Sequence, residues 1–245
     1  MNTDILCQLK QLWQDAFQEP MEAIDGFFAT AFSEDRCCYL TDGQAVTTAL
    51  YWFDCRCGGQ KLAYIYALAT LPPYRGKGLA ARLLVDTHRR LKSLGYDGAF
   101  LKPADGLFPY YERQGYKTCG YIRRPEVKAA GDPLILREVS GEEFFRIRQD
   151  FLPEGSAEFT SPVIPFLEGF ARFWAGDRCV LCAGREEKAV YEFLGDLSVL
   201  PGALNALAIP SAAPITPGDD IPFLMYRPLS RQMETPPKYL GLSLE

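Results

Sequence analysis

The sequence predicts a mixed α/β (α+β) fold, a sheet flanked by helices, on three observations. Leu62 to Thr70 is a run of apolar and aromatic residues without a charge, as in a strand buried on both faces. Pro72 and Pro73 stop that strand, because neither can donate to a ladder. Gly76 and Gly78 then introduce an amphipathic helix of about residues 78–94, with Leu83, Leu84, Leu91 and Leu94 expected to face the sheet and Gly95 as its left-handed stop.

The remaining elements follow in chain order. Ile5, Leu9, Leu12, Trp13, Ala16 and Phe17 recur at helical spacing over residues 3–18. Pro20 suits the first turn of a second helix, whose apolar side is Met21, Ile24, Phe27, Phe28, Ala31 and Phe32. Asp42-Gly43 marks a hairpin between 36–41 and 44–53, and a second turn is expected over 54–60. Gly98 to Lys102 reads as another strand. From about Arg123 the texture changes: Pro125 and Gly131-Asp-Pro133 mark a linker. Beyond it the pattern predicts helices near 140–151 and 163–174, strands at 178–183 and 189–194, a helical piece at 198–208 and a last strand near 221–226. Two domains are expected, residues 1–124 and a smaller α+β domain over 134–245.

The glycine pair admits a close backbone approach at the start of a helix, where unpaired N–H groups and the dipole favour an anion. A P-loop needs Ser or Thr after Gly-Lys, but Gly78 follows Lys77. Gly76-x-Gly78-x-x-Ala81 fits the loose dinucleotide pattern, yet six residues, Leu71 to Gly76, separate it from the strand, and Asp97 precedes the next strand instead of closing it.

Arg75-Gly-Lys-Gly-Leu-Ala80 resembles the R-x-x-G-x-A signature of the GNAT acetyltransferases, and Phe108-Pro-Tyr-Tyr-Glu-Arg-Gln-Gly-Tyr116 resembles that family's Y-x-x-x-G-F/Y segment. The resemblance covers about the first half of the chain. It implies the GNAT acyl-CoA N-acyltransferase fold, with a mostly antiparallel sheet, and acetyl-CoA as cosubstrate. The pantetheine arm would lie along the strand, with backbone N–H groups of Leu68, Ala69 and Thr70 facing the thioester. The pyrophosphate would meet the loop and helix start formed by Arg75, Gly76, Lys77, Gly78, Leu79 and Ala80. Tyr111, four residues before Gly115, matches the tyrosine that protonates the leaving thiolate. Its ordinary pKa near ~10 suits that role; packing on a short helix is the plainer reading. GNAT domains usually open with a strand before the helical pair, and here there is almost no room for one. The second half resembles a shortened GNAT-like unit that lacks the glycine loop, as in two-domain bacterial members such as the Eis group.

Many relatives carry a glutamate near position 66, where this chain has Tyr66; Lys61 to Thr70 holds no acid. Deprotonation of the amine is left to water, Asp54, Asp105 or the second half. Tyr64 and Tyr66 are core residues or walls of an acceptor pocket. The acceptor expected is a small-molecule or peptide amine. The competing reading is a catalytically degenerate CoA-binding regulator or scaffold. A longer acyl donor is a third, because Ala67 and Ala69 are small.

Composition narrows the class further. The chain has 245 residues, 48% hydrophobic and 13% aromatic, enough for packed cores. A net charge of −5 argues against general nucleic-acid binding. Met1-Asn-Thr-Asp-Ile-Leu shows no basic n-region, and the uncharged run 197–218 is broken by Pro201, Pro210, Pro214 and Pro217. A cytoplasmic protein without membrane attachment is expected, and a homodimer is left open. The eight cysteines include Cys55-x-Cys57 and Cys179-x-x-Cys182 but no paired knuckles, so no metal is expected and reduced, packed thiols are. His88, the sole histidine, is expected at the surface or boundary of its helix and outside the site.

Overall fold

The structure is a computed structural model and describes residues 2–230 and 235–242. In chain order the elements are α1 (Thr3–Phe17), α2 (Met21–Thr30), β1 (Cys37–Asp42), β2 (Ala45–Cys57), β3 (Gln60–Thr70), α3 (Leu79–Ser93), β4 (Gly98–Leu101) and α4 (Phe108–Arg113). There follow β5 (Lys117–Arg123), β6 (Val127–Lys128), β7 (Arg137–Val139), α5 (Gly141–Arg148), β8 (Glu158–Phe159), α6 (Ile164–Phe170) and β9 (Ala171–Gly176). The last are β10 (Cys179–Gly184), β11 (Val190–Gly195), α7 (Leu200–Ala206), β12 (Ser211–Ala212), β13 (Thr216–Pro217) and β14 (Ile221–Pro228). The chain forms two compact units. One comprises Met1–Thr118 with Ala157–Phe166 and Leu224–Pro236; the other comprises Cys119–Ser156, Leu167–Phe223 and Pro237–Glu245. Among the described residues no helix is long and apolar enough to cross a membrane.

In the first unit the strand order is β1-β2-β3-β4-β14, antiparallel except for the parallel β3–β4 pair. The hairpin at Gly43 forms as expected, pairing Asp42 with Ala45. The next turn is tighter than the predicted 54–60: β2 continues to Cys57, and Gly58 and Gly59, both at positive φ, make a two-residue connection. Among the described residues no strand precedes α1. Instead β14, from near the end of the sequence, pairs with β4 from Met225↔Leu101 to Pro228↔Gly98. Gly98 is required there, since a Cβ would lie 2.3 Å from the Tyr226 ring.

Each face of this sheet carries its own core. On one, Leu83, Leu84 and Leu91 of α3 pack with Leu50, Trp52, Ala63, Ile65, Tyr111, Tyr116 and Met225. On the other, Trp13 of α1 and Phe27 of α2, 4.7 Å apart, meet Tyr51, Phe53 and Tyr66 with ring centroids 5.3 to 6.1 Å apart. The two sets alternate along β2, as a pleated strand requires.

Two expectations on α3 are corrected. Leu94 is 49% exposed, because the helix ends at Ser93 and its cap residue has left the apolar stripe. His88 is buried at 7% exposure, four residues from Leu84 and three from Leu91, on the packed face. Its Nε2 lies 2.7 Å from the Tyr116 hydroxyl. Burial, and then Arg227, push the imidazole down to about 4.

In the second unit the sheet order is β11-β10-β9-β7, antiparallel throughout, with Leu200, Ala203 and Leu204 of α7 in its core. The helix expected over 163–174 stops at Phe170. Ala171, Phe173 and Ala175 alternate with more exposed residues, and this period of two wins because β10 needs a hairpin partner. α5, α7, β10 and β11 fall within a few residues of where the sequence places them, whereas β7, which pairs with β9, is not predicted by the pattern.

A buried neutral histidine makes stability depend on pH. The unfolded chain takes up the proton near 6.5 and the folded chain only near 4, so stability should fall as pH drops through that window, by up to roughly 3 kcal/mol. Melting temperatures of wild type and H88Q measured from pH 7 to 4 check this: H88Q should lose less. Separately, G98A should destabilise by about 1–3 kcal/mol in chemical denaturation, because the Tyr226 ring must move.

Candidate active site

The site begins where two parallel strands part. β3 is paired with β4 only from Leu62↔Gly98 to Tyr64↔Phe100. On its other edge β3 stays paired to β2 as far as Thr70↔Thr48. Among the described residues, therefore, no strand pairs with the β4-side edge of β3 beyond Tyr64.

Within that stretch the register against β2 slips. Ala69 faces Ala49 and Tyr66 faces Tyr51, so Ala67 and Leu68 together oppose Leu50. This is a bulge, and Ala67 sits in it at φ +48, a conformation L-residues seldom adopt. A bulge re-aims the groups beside it, and strain of this kind costs on the order of 1–3 kcal/mol unless the surroundings impose it.

The loop after β3 is held at both ends. Leu71 N–H donates to Thr47 O at 2.9 Å, and Arg75 Nε donates to Thr70 O at 3.0 Å. Lys77 Nζ lies 4.8 Å from the Tyr74 ring centroid, and the Tyr74 hydroxyl donates to Asp42 Oδ2 at 3.1 Å, raising the phenol's pKa. Gly76 and Gly78 have φ of +75 and +76, and no atom lies within 4 Å of where either Cβ would stand. The corner is open. Gly78 is the cap residue of α3 and has no side chain to satisfy the first N–H groups, so Leu79 and Ala80 begin a helix whose positive end faces solvent. These features fit a pyrophosphate.

Tyr111 is buried at 8% exposure in the α3-side core, with Leu68 packed against the same cluster. Its ring is 5.7 Å from that of Tyr116 and 5.1 Å from Tyr110. Gly115 at φ +83 ends α4, with Tyr116 N–H returning to Tyr111 O at 3.1 Å. Arg227 of β14 donates to Gln114 O and fills the space over Gly115. The sequence thus brings Tyr111 and the β3 bulge to one cluster, while Arg75, Lys77 and the glycines stand at the loop.

Tyr66 is half-buried in the aromatic core on the opposite face. Asp54 is engaged elsewhere: it accepts from the Tyr96 hydroxyl and lies 3.7 Å from Arg36 Nη1. Burial, and then Asp54, push Tyr96 up to about 12. Asp105 is exposed on a turn. Sequence reasoning missed Glu19. It sits half-buried between α1 and α2, and burial raises its carboxyl, with Trp13 acting the other way. Trp13 is in ring contact with Tyr66 at 5.5 Å. The only sequence signal was an acid in the short connection Gln18-Glu19-Pro20.

Residues 1–119 match the family model described as an acetyltransferase (GNAT) domain. The chain carries a GNAT domain. No curated protein matches the sequence. Among solved structures the chain is similar to the GCN5-related N-acetyltransferase from Anabaena variabilis, at 16% identity and a TM-score of 0.70, covering 94% of this chain and 71% of that one. It is similar to the GCN5-related N-acetyltransferase from Kribbella flavida, at 18% identity and 0.67, covering 93% and 71%. A putative acetyltransferase from Pyrococcus horikoshii, at 15% identity and 0.61, covers 99% of this chain and 92% of its own. At these identities the likeness establishes the GNAT fold. The family match over residues 1–119, taken with this fold, supports acyl-CoA-dependent acetyl transfer in general.

If the open loop of the GNAT domain receives the donor, acetyl-CoA at a hundredfold excess over its Kd should stabilise the protein by about 2.7 kcal/mol. G78E, which puts a carboxylate at the helix start, should abolish the rise in Tm measured by thermal shift. An undiminished rise in G78E would place the donor elsewhere.

Proposed function

We propose that the protein is an acetyl-CoA-dependent N-acetyltransferase acting on a primary amine of a small molecule or peptide. The observation that carries this reading is the bulge at Ala67–Leu68, which lies on β3 past the end of its pairing with β4 and leads to the open glycine corner. Backbone N–H groups of Leu68, Ala69 and Thr70 are the donors proposed to stabilise the developing oxyanion. Arg75, Gly76, Lys77, Gly78, Leu79 and Ala80 are proposed to hold the pyrophosphate. The donor supplies an activated thioester. The amine nitrogen bonds to its carbonyl carbon, the C–S bond breaks, and a proton must reach the thiolate sulfur.

Tyr111 is proposed to give that proton. Its burial beside Leu68 supports the role, since both belong to one cluster on the face reached from the parted strands. Glu19 is proposed to take the amine proton. A carboxyl raised by burial is a better base near neutral pH than one in water, and Trp13 links it to the ring of Tyr66. In this reading residues 1–124 hold the chemistry, and residues 134–245 form a smaller, degenerate GNAT-like half.

A second reading is a CoA-binding regulator without turnover. The aromatic residue at Tyr66, where the family resemblance implies an acid, favours it. Free-thiol release over a panel of primary amines separates the two. Turnover should be seen with at least one amine, Y111F should lower kcat roughly a hundredfold, and E19Q should remove the acidic limb of the pH–rate profile. Binding of acetyl-CoA with no turnover on any amine would instead favour the regulator.

A further inference from the structure

The second unit contains a cavity of about 300 Å³ that acetyl transfer does not use. Its floor is apolar: Leu167, Val190, Ile215 and Leu242 are all buried. Its rim is cationic, from the exposed Arg124 and Lys188. No carboxylate lines it, although the chain as a whole is acidic. Among the described residues neither rim cation has an ion-pair partner. The acid next in sequence, Glu187, accepts from the Tyr191 hydroxyl at 3.3 Å.

The walls are fixed by a buried ion pair. Arg148 Nε and Nη2 donate to the two carboxylate oxygens of Glu192, each at 2.7 Å, and both residues are inaccessible to water. Nη2 of Arg148 also donates to Leu240 O, and the Tyr239 hydroxyl donates to Glu192 Oε1 at 2.9 Å. Gly241, at φ +77, allows this fit, since a Cβ there would lie 1.7 Å from Glu192 Oε1. Val190 and Tyr191, just before Glu192, form one wall; Gly241 and Leu242 form another. Burying two charges costs several kcal/mol each before their attraction returns it, and an apolar pair would often be as stable. What the pair supplies here is a fixed distance between β11 and the segment 239–242.

We propose that this cavity binds a small amphiphilic anion, its apolar tail against Leu167, Val190, Ile215 and Leu242 and its carboxylate or phosphate head at Arg124 and Lys188. The dimensions are those of a small-ligand pocket, and charge-assisted bonds to a head group at the rim add directly to apolar burial. This site is independent of the acetyl-transfer reading and is tested without acetyl-CoA.

Isothermal titration calorimetry of the full chain with decanoate, decyl phosphate and decanol, each below its micelle concentration, tests it. At least one anion should bind at least tenfold more tightly than decanol, and comparison of the two anions identifies the head group. Charge reversal of the two exposed rim residues, R124E with K188E, should weaken the preferred anion at least tenfold and leave decanol unchanged. A213W, which places a large ring at the exposed rim, should abolish binding, with Tm measured to confirm that each variant folds. No binding of either anion, equal binding of decanol, or anion binding unchanged in either variant overturns the proposal.

Discussion

The first unit turns on one constraint: a strand's backbone donors and acceptors must find partners. Among the described residues β3 pairs with β2 for nearly its whole length, whereas its pairing with β4 runs only as far as Tyr64. A strand edge left open inside a sheet is expensive and invites pairing. The bulge at Ala67–Leu68 disrupts the regular ladder at that point, at the cost of a left-handed alanine. Packing on both faces, by α3 on one side and by the aromatics of α1 and α2 on the other, imposes that conformation.

The cores around this edge divide the labour. The α3 side mixes leucines with Trp52, Tyr96, Tyr111 and Tyr116, and has a small polar centre where His88 meets Tyr116. The α1–α2 side gathers the rings of Trp13, Phe27, Tyr51, Phe53 and Tyr66, and both helices also bury Leu9, Leu12 and Ile24. An aromatic cluster gives large burial from few, stiff side chains. It also leaves no carboxylate on β3 itself, so the acid that burial perturbs on this side comes from a connection, at Glu19. In the second unit a charged pair does comparable positioning work, joining Arg148 of α5, Glu192 of β11 and the backbone at Leu240.

Much of this was legible in the sequence because it depends on local periods and on residues with special backbones. The helices α1 and α3, the Gly43 hairpin and the open glycine corner all follow from patterns within a few residues. Where periods compete, the reading failed. Residues 171–176 carry enough apolar character to extend a helix, and only the demand of β10 for a partner makes them a strand. Its place near the start of α3 and its basic neighbours put His88 at the surface or boundary, although its spacing from Leu84 and Leu91 puts it on the packed face. Asp54 looked available until Tyr96 and Arg36 were seen to engage it.

What the sequence determined by itself was the class of fold, the glycine loop ahead of α3 and the tyrosine at 111, since each is written in contiguous residues. Only the tertiary structure decided that β14 pairs with β4, that β3 bulges at Ala67, and that Gly241 and Leu242 wall a cavity with a cationic rim. Those features pair residues far apart along the chain. A one-dimensional pattern records which surfaces must be buried, but not which distant partner buries them.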